Sequence, residues 1–152
     1  MKIVAVTPAG RKKYLEVLAP YIFRDRKIFD QWIIWVNTHR TEDINFCKYL
    51  KLLAPDFVTL VEHEKKIERP QPQPPFFKTV IDPDTIYIKF DDDICWIARN
   101  AVSEIVKFRK ENPEYFVIMA NTICNGFCAA IHQRNGSMTF EIDGEVIRID
   151  RH

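Results

Sequence analysis

The chain has 152 residues, of which 47% are hydrophobic and 12% aromatic, so length and composition predict a folded protein and exclude disorder as its main state. Its 22 basic and 21 acidic residues are interspersed and leave a net charge of +1, which excludes the strongly basic classes that bind nucleic acids or anionic membranes. We therefore expect a single domain over residues 1–152, with no nucleic-acid partner.

The location of the protein is predicted from what the sequence lacks. No apolar run approaches the length of a membrane-spanning helix, so no membrane span is expected. The first residues lead directly into a strand-like segment and carry no signal-peptide pattern. The four cysteines contain no Cys-x-x-Cys pair, which favours buried free thiols over a zinc site. These features together predict a cytoplasmic protein.

Strand and helix patterns alternate through the first 120 residues. Short β-branched or apolar runs predict strands, and apolar residues at helical spacing predict helices, with Pro20 expected to break or kink the first helix. The predicted strands are residues 3–6, 31–37, 57–61, 85–93 and 115–120, and the predicted helices are residues 14–22, 41–53, 76–81 and 96–110.

Two further parts of the chain fall outside this alternation of strands and helices. Residues 62–75 are charged and then rich in proline, which predicts a long loop beside a site, with an SH3-type ligand as the alternative. Residues 121–136 are ambiguous, and residues 140–149 predict a C-terminal β-hairpin that turns at Asp143 and Gly144. The alternation of elements predicts an α/β fold, Rossmann-like, with a mostly parallel sheet flanked by helices.

The segment 85–93, Thr-Ile-Tyr-Ile-Lys-Phe-Asp-Asp-Asp, carries three carboxylates at the carboxyl end of an apolar strand. Side chains alternate along a strand, so we expect Asp91 and Asp93 on one side, with Cα atoms about 6.5 Å apart, and Asp92 on the other. Two such carboxylates can bind one hard divalent cation, and three adjacent acids otherwise repel one another. The pattern therefore predicts a metal site, with an acidic strand-to-helix turn as the alternative.

Three polar segments follow predicted strands, at residues 7–11, 37–40 and 91–93. In parallel sheets ligands bind outside the carboxyl ends of the strands, so these segments are expected to converge. A first strand with a small polar loop, a second strand with a polar end, and an apolar strand followed by Asp-x-Asp resemble the GT-A glycosyltransferases, especially the glycosyltransferase domain found in large chlorella viruses. The resemblance covers residues 1–120 and is most specific at residues 84–97.

The resemblance implies a transferase that moves a sugar from a nucleoside-diphosphate sugar, expected to be UDP-linked, to a carbohydrate acceptor. It also implies Mn²⁺ or Mg²⁺ as cofactor, and the host cytoplasm as location if the protein is virus-encoded. Carried over to this sequence, Asp93 is the expected metal ligand, and Asp91 is a second ligand or a ribose contact. Asp92 is expected to hold the loop or to face the sugar. A bound cation at this place would neutralise the diphosphate leaving group.

The same resemblance implies that the first loop holds the nucleoside. Thr7 and Pro8 would lie against the base or ribose, Ala9 would leave room for close approach, and Arg11 would pair with a phosphate. Each of these has a plain alternative, since the segment can also be a strand-to-helix turn with a solvated Arg11.

Two more polar residues are assigned to the donor site. Asn37 is expected to contact uracil with its amide, or else to form a turn. Lys78 is expected to reach the diphosphate, or else to be an ordinary surface lysine.

The sequence departs from the GT-A pattern at its far end, where residues 121–152 are few for an acceptor-binding half, so no catalytic base is assigned and the domain is expected to be truncated. Three alternatives stay open. One is a sugar-phosphate nucleotidylyltransferase, although its first loop should be richer in glycine than this one. Another is a haloacid-type phosphohydrolase, although its Asp-x-Asp should follow the first strand. The last is an inactive nucleotide-binding or interaction module.

Overall fold

The computed structural model describes residues 1–62, 74–120, 126–136, 140–142 and 145–147. The chain divides into two compact units, Met1–Lys107 and Phe108–His152. The prediction of one domain stays a prediction. In chain order the elements are β1 (Lys2–Ala9), α1 (Lys12–Arg24), β2 (Gln31–Val36), α2 (Thr41–Leu53), β3 (Val58–Glu62), α3 (Pro74–Phe77), β4 (Thr85–Lys89), α4 (Ala101–Glu111), α5 (Gly126–Arg134), β5 (Phe140–Ile142) and β6 (Glu145–Ile147).

The first unit contains a four-stranded sheet in which all neighbouring strands are parallel, in the order β3-β2-β1-β4. The predicted α/β class with a parallel sheet flanked by helices is confirmed, and this arrangement is compatible with a Rossmann-like fold. From β1 the chain first adds β2 and β3 on one side and later adds β4 on the other. The order therefore reverses beside β1, which makes the gap between β1 and β4 the switch point of the sheet.

Apolar side chains cover both faces of the sheet, as expected for parallel strands. Trp32 and Trp35, three residues apart on β2, lie in different clusters. Trp32 packs with residues of α1, α2 and α4, and its indole N–H donates to the Thr7 hydroxyl over 3.0 Å. Trp35 lies in the other cluster, where its ring stacks on Phe76 beside α3 with centroids 5.4 Å apart. Burial on both faces explains why the sequence of β2 is apolar throughout.

Strand β1 is longer than predicted, because it continues through residues 7–9. Strand β4 is shorter than predicted and ends at Lys89. Strand β1 continues to Ala9 because it stays paired with β2 there. Pro8 accounts for the end of β4: the Phe90 N–H donates to the Val6 carbonyl over 2.8 Å, and the next donor in the parallel ladder would be the N–H of Pro8, which does not exist. The β1–β4 ladder stops there, and the acidic residues leave the sheet as a turn.

Three helices also differ from their predicted bounds. Helix α3 is Pro74–Phe77 and not residues 76–81. Pro20 lies inside α1, which continues past it to Arg24, so the predicted break does not occur. Helix α4 begins at Ala101 and not near Trp96. Arg24, the last residue of α1, holds the segment before α4, since its guanidinium donates to the carbonyls of Ile97 and Ala98 over 2.9 and 3.2 Å.

Residues 115–120 form no strand, so that prediction was wrong. Most of their apolar side chains are exposed, and an apolar run without a neighbouring strand does not by itself form a ladder. Elsewhere in the second unit, β5 and β6 pair antiparallel. The turn predicted at Asp143 and Gly144 lies outside the described residues, and the hairpin stays a prediction. None of the helices in the described part of the chain has the length and apolar character needed to span a bilayer.

The cysteine prediction holds in part. Cys47 is a buried free thiol, and burial raises its pKa to about 12, so the thiol stays protonated and unreactive. Cys95 is free but exposed, contrary to prediction, because it lies in the irregular segment before α4. The side chains of Cys124 and Cys128 lie outside the described residues.

Candidate functional site

The candidate site lies at the carboxyl edge of the sheet, where three strand ends meet. Gly10 follows β1, Asn37 follows β2, and Asp92 lies three residues after β4. A Cβ on Gly10 would lie 3.1 Å from the Asn37 carbonyl oxygen and 3.9 Å from Oδ2 of Asp92. A side chain at position 10 would crowd the Asn37 carbonyl, so glycine suits this close approach of the first loop to the end of β2. The convergence of the three polar segments is thus present, and it is centred on Gly10 beside the switch point.

Asp92 joins the acidic turn to the first loop. Its side chain is 6% exposed, and Oδ2 accepts a hydrogen bond from the Gly10 N–H over 2.9 Å. Oδ1 accepts from Nε of Arg11 over 3.2 Å and also from Nη2 of the same guanidinium. The hydrogen bonds to Asp92 raise the pKa of Arg11, and Asp93 adds to that effect. Asp92 is therefore a buried carboxylate whose charge is compensated within the chain, in the loop-holding role that the sequence allowed it.

Asp91 and Asp93 have a different setting, since about half of each side chain is exposed. Oδ2 of Asp93 lies 2.9 Å from Nη2 of Arg11. Oδ1 of Asp91 pairs with the ammonium of Lys89. The acidic turn was expected to need an external cation because its charges seemed uncompensated in the sequence. In the structure Arg11 and Lys89 compensate part of this charge.

The expected alternation of the three acids is wrong in its premise. Asp91, Asp92 and Asp93 lie beyond the end of β4, so strand geometry does not govern their directions. Asp91 and Asp93 nevertheless share exposure and Asp92 does not, because Asp92 turns toward the amide of Gly10. The two exposed carboxylates remain the ones that an incoming ligand can reach.

A second buried carboxylate, Asp43, holds the other side of the site. It lies in the first turn of α2, where Oδ1 accepts from the Lys12 N–H over 2.8 Å and Oδ2 accepts from the Thr38 hydroxyl over 2.9 Å. The Thr38 hydroxyl in turn accepts from the Arg40 N–H over 3.2 Å. Asp43 thus fixes the start of α1 to the loop between β2 and α2. Two amides at the start of α1, those of Gly10 and Lys12, are accordingly bonded to the chain's own carboxylates.

Thr7, Pro8 and Ala9, predicted to contact the nucleoside from the first loop, lie instead within strand β1. All three residues are buried within β1, and Thr7 is fully buried with its hydroxyl bonded to Trp32. They belong to the core because β1 extends to Ala9, which leaves half-buried Gly10 and exposed Arg11 as the accessible part of the loop. In this structure the Thr7 hydroxyl is out of reach of a ligand.

Of the two remaining predicted donor contacts, Asn37 lies in the candidate site and Lys78 lies on another face of the sheet. Asn37 is half-buried, directly after β2, and its N–H donates to the Ala9 carbonyl over 2.9 Å. It therefore belongs to the site. Lys78 is exposed directly after α3, next to Thr79, whose hydroxyl accepts from the Trp35 indole over 3.1 Å. This places Lys78 on the α3 face of the sheet, opposite to α1.

The donor chemistry of the acidic turn fits a hard cation in part. Carboxylate oxygens are the ligands that Mg²⁺ and Mn²⁺ prefer. Asp91 and Asp93 each use one oxygen in an ion pair with a flexible, partly exposed cation, whereas both oxygens of Asp92 are engaged. Within the described ranges no group of three or more His, Cys, Asp or Glu side chains is arranged to hold a metal ion. One or two carboxylates are enough for Mg²⁺ when substrate phosphates and water complete its shell.

Sequence reasoning missed three residues that shape the site. These are Asp43, Tyr14 and Arg24, none of which the sequence alone assigned to the site. The Tyr14 ring lies 4.7 Å from Cζ of Arg11, so it supports one face of the guanidinium. Arg24 holds the segment behind the acidic turn through Ile97 and Ala98. The sequence signal for Asp43 was its position in the first turn of the helix that follows β2. The roles of Tyr14 and Arg24 become visible only in three dimensions.

Comparisons of the chain with models of protein families, with curated proteins and with solved structures found no match.

Proposed function

We propose that this chain is a divalent-metal-dependent glycosyltransferase of GT-A type that binds a nucleoside-diphosphate sugar, with uridine as the nucleoside, and passes the sugar to a carbohydrate acceptor in the cytoplasm. One observation carries the proposal. Arg11 pairs with Asp93 at the carboxyl edge of a parallel sheet, beside the point where the strand order reverses, and Asp91 lies half-exposed in the same turn as Asp93. Open α/β sheets bind their ligands at that point.

The occupied amides at the start of α1 favour a cation-based mode of diphosphate binding. In many nucleotide-binding folds phosphates are held by backbone N–H groups at a helix start. Here the N–H groups of Gly10 and Lys12 already donate to Asp92 and Asp43. A diphosphate at this edge would then depend on Arg11 and on a metal ion held by Asp91 and Asp93. When bound, the ion would neutralise charge on the diphosphate as the sugar leaves.

The nucleoside end of the donor is assigned to the half-buried surface around Asn37. Asn37 lies directly after β2, with its backbone close to Gly10, and its side-chain amide can both donate to and accept from a uracil edge. Tyr14 supports the Arg11 guanidinium over its ring, and Arg11 would donate to the phosphates from there. These roles concern binding and orientation, and no residue is assigned as catalytic base.

Calorimetric titration with UDP tests the proposal at its first step. UDP should bind in the presence of Mn²⁺ and much more weakly in excess EDTA, because two phosphates would then face unneutralised carboxylates. Asn37→Ala and Arg11→Ala should each weaken binding, by about 1.5–3 kcal/mol for one lost charge-assisted hydrogen bond at Arg11. Equal affinity for UDP in Mn²⁺ and in EDTA would refute the metal-dependent site.

Turnover tests the second step. With water in place of the acceptor, a panel of UDP-hexoses and deoxyhexose nucleotides should include one donor that is slowly hydrolysed in Mn²⁺ or Mg²⁺, and Asp93→Ala should abolish that hydrolysis. The alternative is a nucleotide-binding module without turnover, which the internal pairing of Asp93 with Arg11 favours. Tight, metal-dependent binding of a donor with no hydrolysis and no transfer to simple sugars would establish the module in place of the enzyme.

A further inference from the structure

The two acids that contact Arg11 hold it in unequal ways. Asp92 is buried and engages both Nε and Nη2, while its second oxygen is fixed by the Gly10 amide. Asp93 is half-exposed and makes one contact, from Oδ2 to Nη2 over 2.9 Å. A buried, doubly bonded carboxylate is costly to remove, whereas an exposed single ion pair contributes little. Of the two partners, Asp93 is the one that can leave.

The geometry of a guanidinium shows which hydrogen-bond donors of Arg11 the departure of Asp93 would free. A guanidinium has five N–H donors in one plane, arranged as forks along its edges. Asp92 takes the fork of Nε and Nη2, and Asp93 takes the remaining direction of Nη2. Among the described residues, the polar contacts of Arg11 use only these two nitrogens. Without Asp93, Nη1 and Nη2 could donate two parallel hydrogen bonds to a phosphate while Asp92 still holds the other edge of the guanidinium.

We propose that Asp93 exchanges between Arg11 and a divalent cation, so that a metal ion arriving at the acidic turn releases the outer edge of Arg11 for a diphosphate. Asp93 is then a positioning residue with two states, and Asp92 is the fixed anchor that keeps Arg11 in place through the exchange. The inference rests on the diphosphate site proposed above and explains how metal and diphosphate assist each other there. Each ligand favours the same arrangement, so each raises the affinity for the other.

Metal-free binding of inorganic pyrophosphate gives the first test, with Asp91→Asn as the matched control. Asp91 and Asp93 lie in the same turn, are exposed to a similar degree, and each lose one negative charge on replacement by Asn. Asp93→Asn should raise the metal-free affinity for pyrophosphate about two- to five-fold beyond the gain seen in Asp91→Asn, which corresponds to the worth of one exposed ion pair. The double variant Arg11→Gln, Asp93→Asn should lose this extra gain.

Equal gains in Asp93→Asn and Asp91→Asn would overturn the exchange, because only general charge would then be acting. Absence of pyrophosphate binding in every variant would overturn it as well, since the released arginine would have no anion to take.

Magnesium alone gives the second test. In the full chain without phosphate, Mg²⁺ should shift the side-chain N–H signals of Arg11 in ¹H–¹⁵N spectra of the wild type. It should leave them unchanged in Asp93→Asn, which lacks the exchanging carboxylate and keeps Asp92 on the other edge of Arg11. An unchanged Arg11 signal in the wild type at Mg²⁺ concentrations that perturb Asp93 would overturn the proposal. Neither test uses a sugar donor, so failure of sugar transfer would refute the enzyme and leave the exchange standing.

Discussion

Two pairs of carboxylates lie at the same edge of the sheet and differ in almost every physical respect. Asp43 and Asp92 are buried and accept hydrogen bonds from backbone amides at the start of α1. Asp91 and Asp93 are half-exposed and pair with the side chains of Lys89 and Arg11. A buried carboxylate bonded to a backbone amide is costly to separate from its partners, whereas an exposed ion pair contributes little and can open. The first pair therefore builds the site, and the second pair is available to a ligand.

The largest loss of folding stability is expected when Asp92 is replaced. Asp92→Ala removes the acceptor of the Gly10 amide and the main partner of Arg11, and it should lower the free energy of unfolding by about 3 kcal/mol, as for a buried pair that loses one member. Urea unfolding measures this loss, with Asp93→Ala as the control in the same turn. If both variants lose the same stability, Asp92 is not the anchor.

A smaller loss is expected from the second buried acid. Asp43→Ala leaves the Lys12 amide and the Thr38 hydroxyl without their acceptor and should cost about 2 kcal/mol of unfolding free energy. Glu42→Ala, at the exposed neighbouring position in the first turn of α2, should change stability far less. Hydrogen exchange adds a local readout, since the Lys12 amide should lose its protection in Asp43→Ala. Retained protection would show that this amide finds another acceptor.

The smallest effect on folding is expected at the exposed acids. Asp91→Asn and Asp93→Asn should each change the unfolding free energy by about 0.5 kcal/mol or less, because exposed ion pairs contribute little. Their metal-supported binding of UDP should fall nonetheless, because a carboxamide is a poor ligand for a hard cation. Thermal unfolding and calorimetry on the same samples separate the two properties. A large loss of stability in either variant would place that acid with the structural pair and erase the contrast.

The sequence allowed the parallel α/β sheet and the meeting of its polar strand ends to be predicted, because apolar strands alternating with amphipathic helices leave few other arrangements. It did not reveal which acid would be buried. That outcome depends on Pro8, whose missing N–H ends the β1–β4 ladder and lets Asp92 turn to Gly10. The effect of Pro8 on the end of β4 can be predicted only once β1 and β4 are known to be neighbours. In the same way, the bond from the Lys12 amide to Asp43 can be predicted only once α1 and α2 are known to be neighbours.

The bond between Gly10 and Asp92 joins residues 82 positions apart, and this separation imposes an order on the events of folding. A growing chain that has reached Glu62 already carries β1, β2 and β3, whereas the acid that fixes Gly10 and Arg11 has yet to be synthesised. Contacts between distant residues close late, because the intervening chain must first be ordered. We therefore expect the first loop to remain loosely held until β4 adds to the edge of β1, so that the site matures as the sheet is completed.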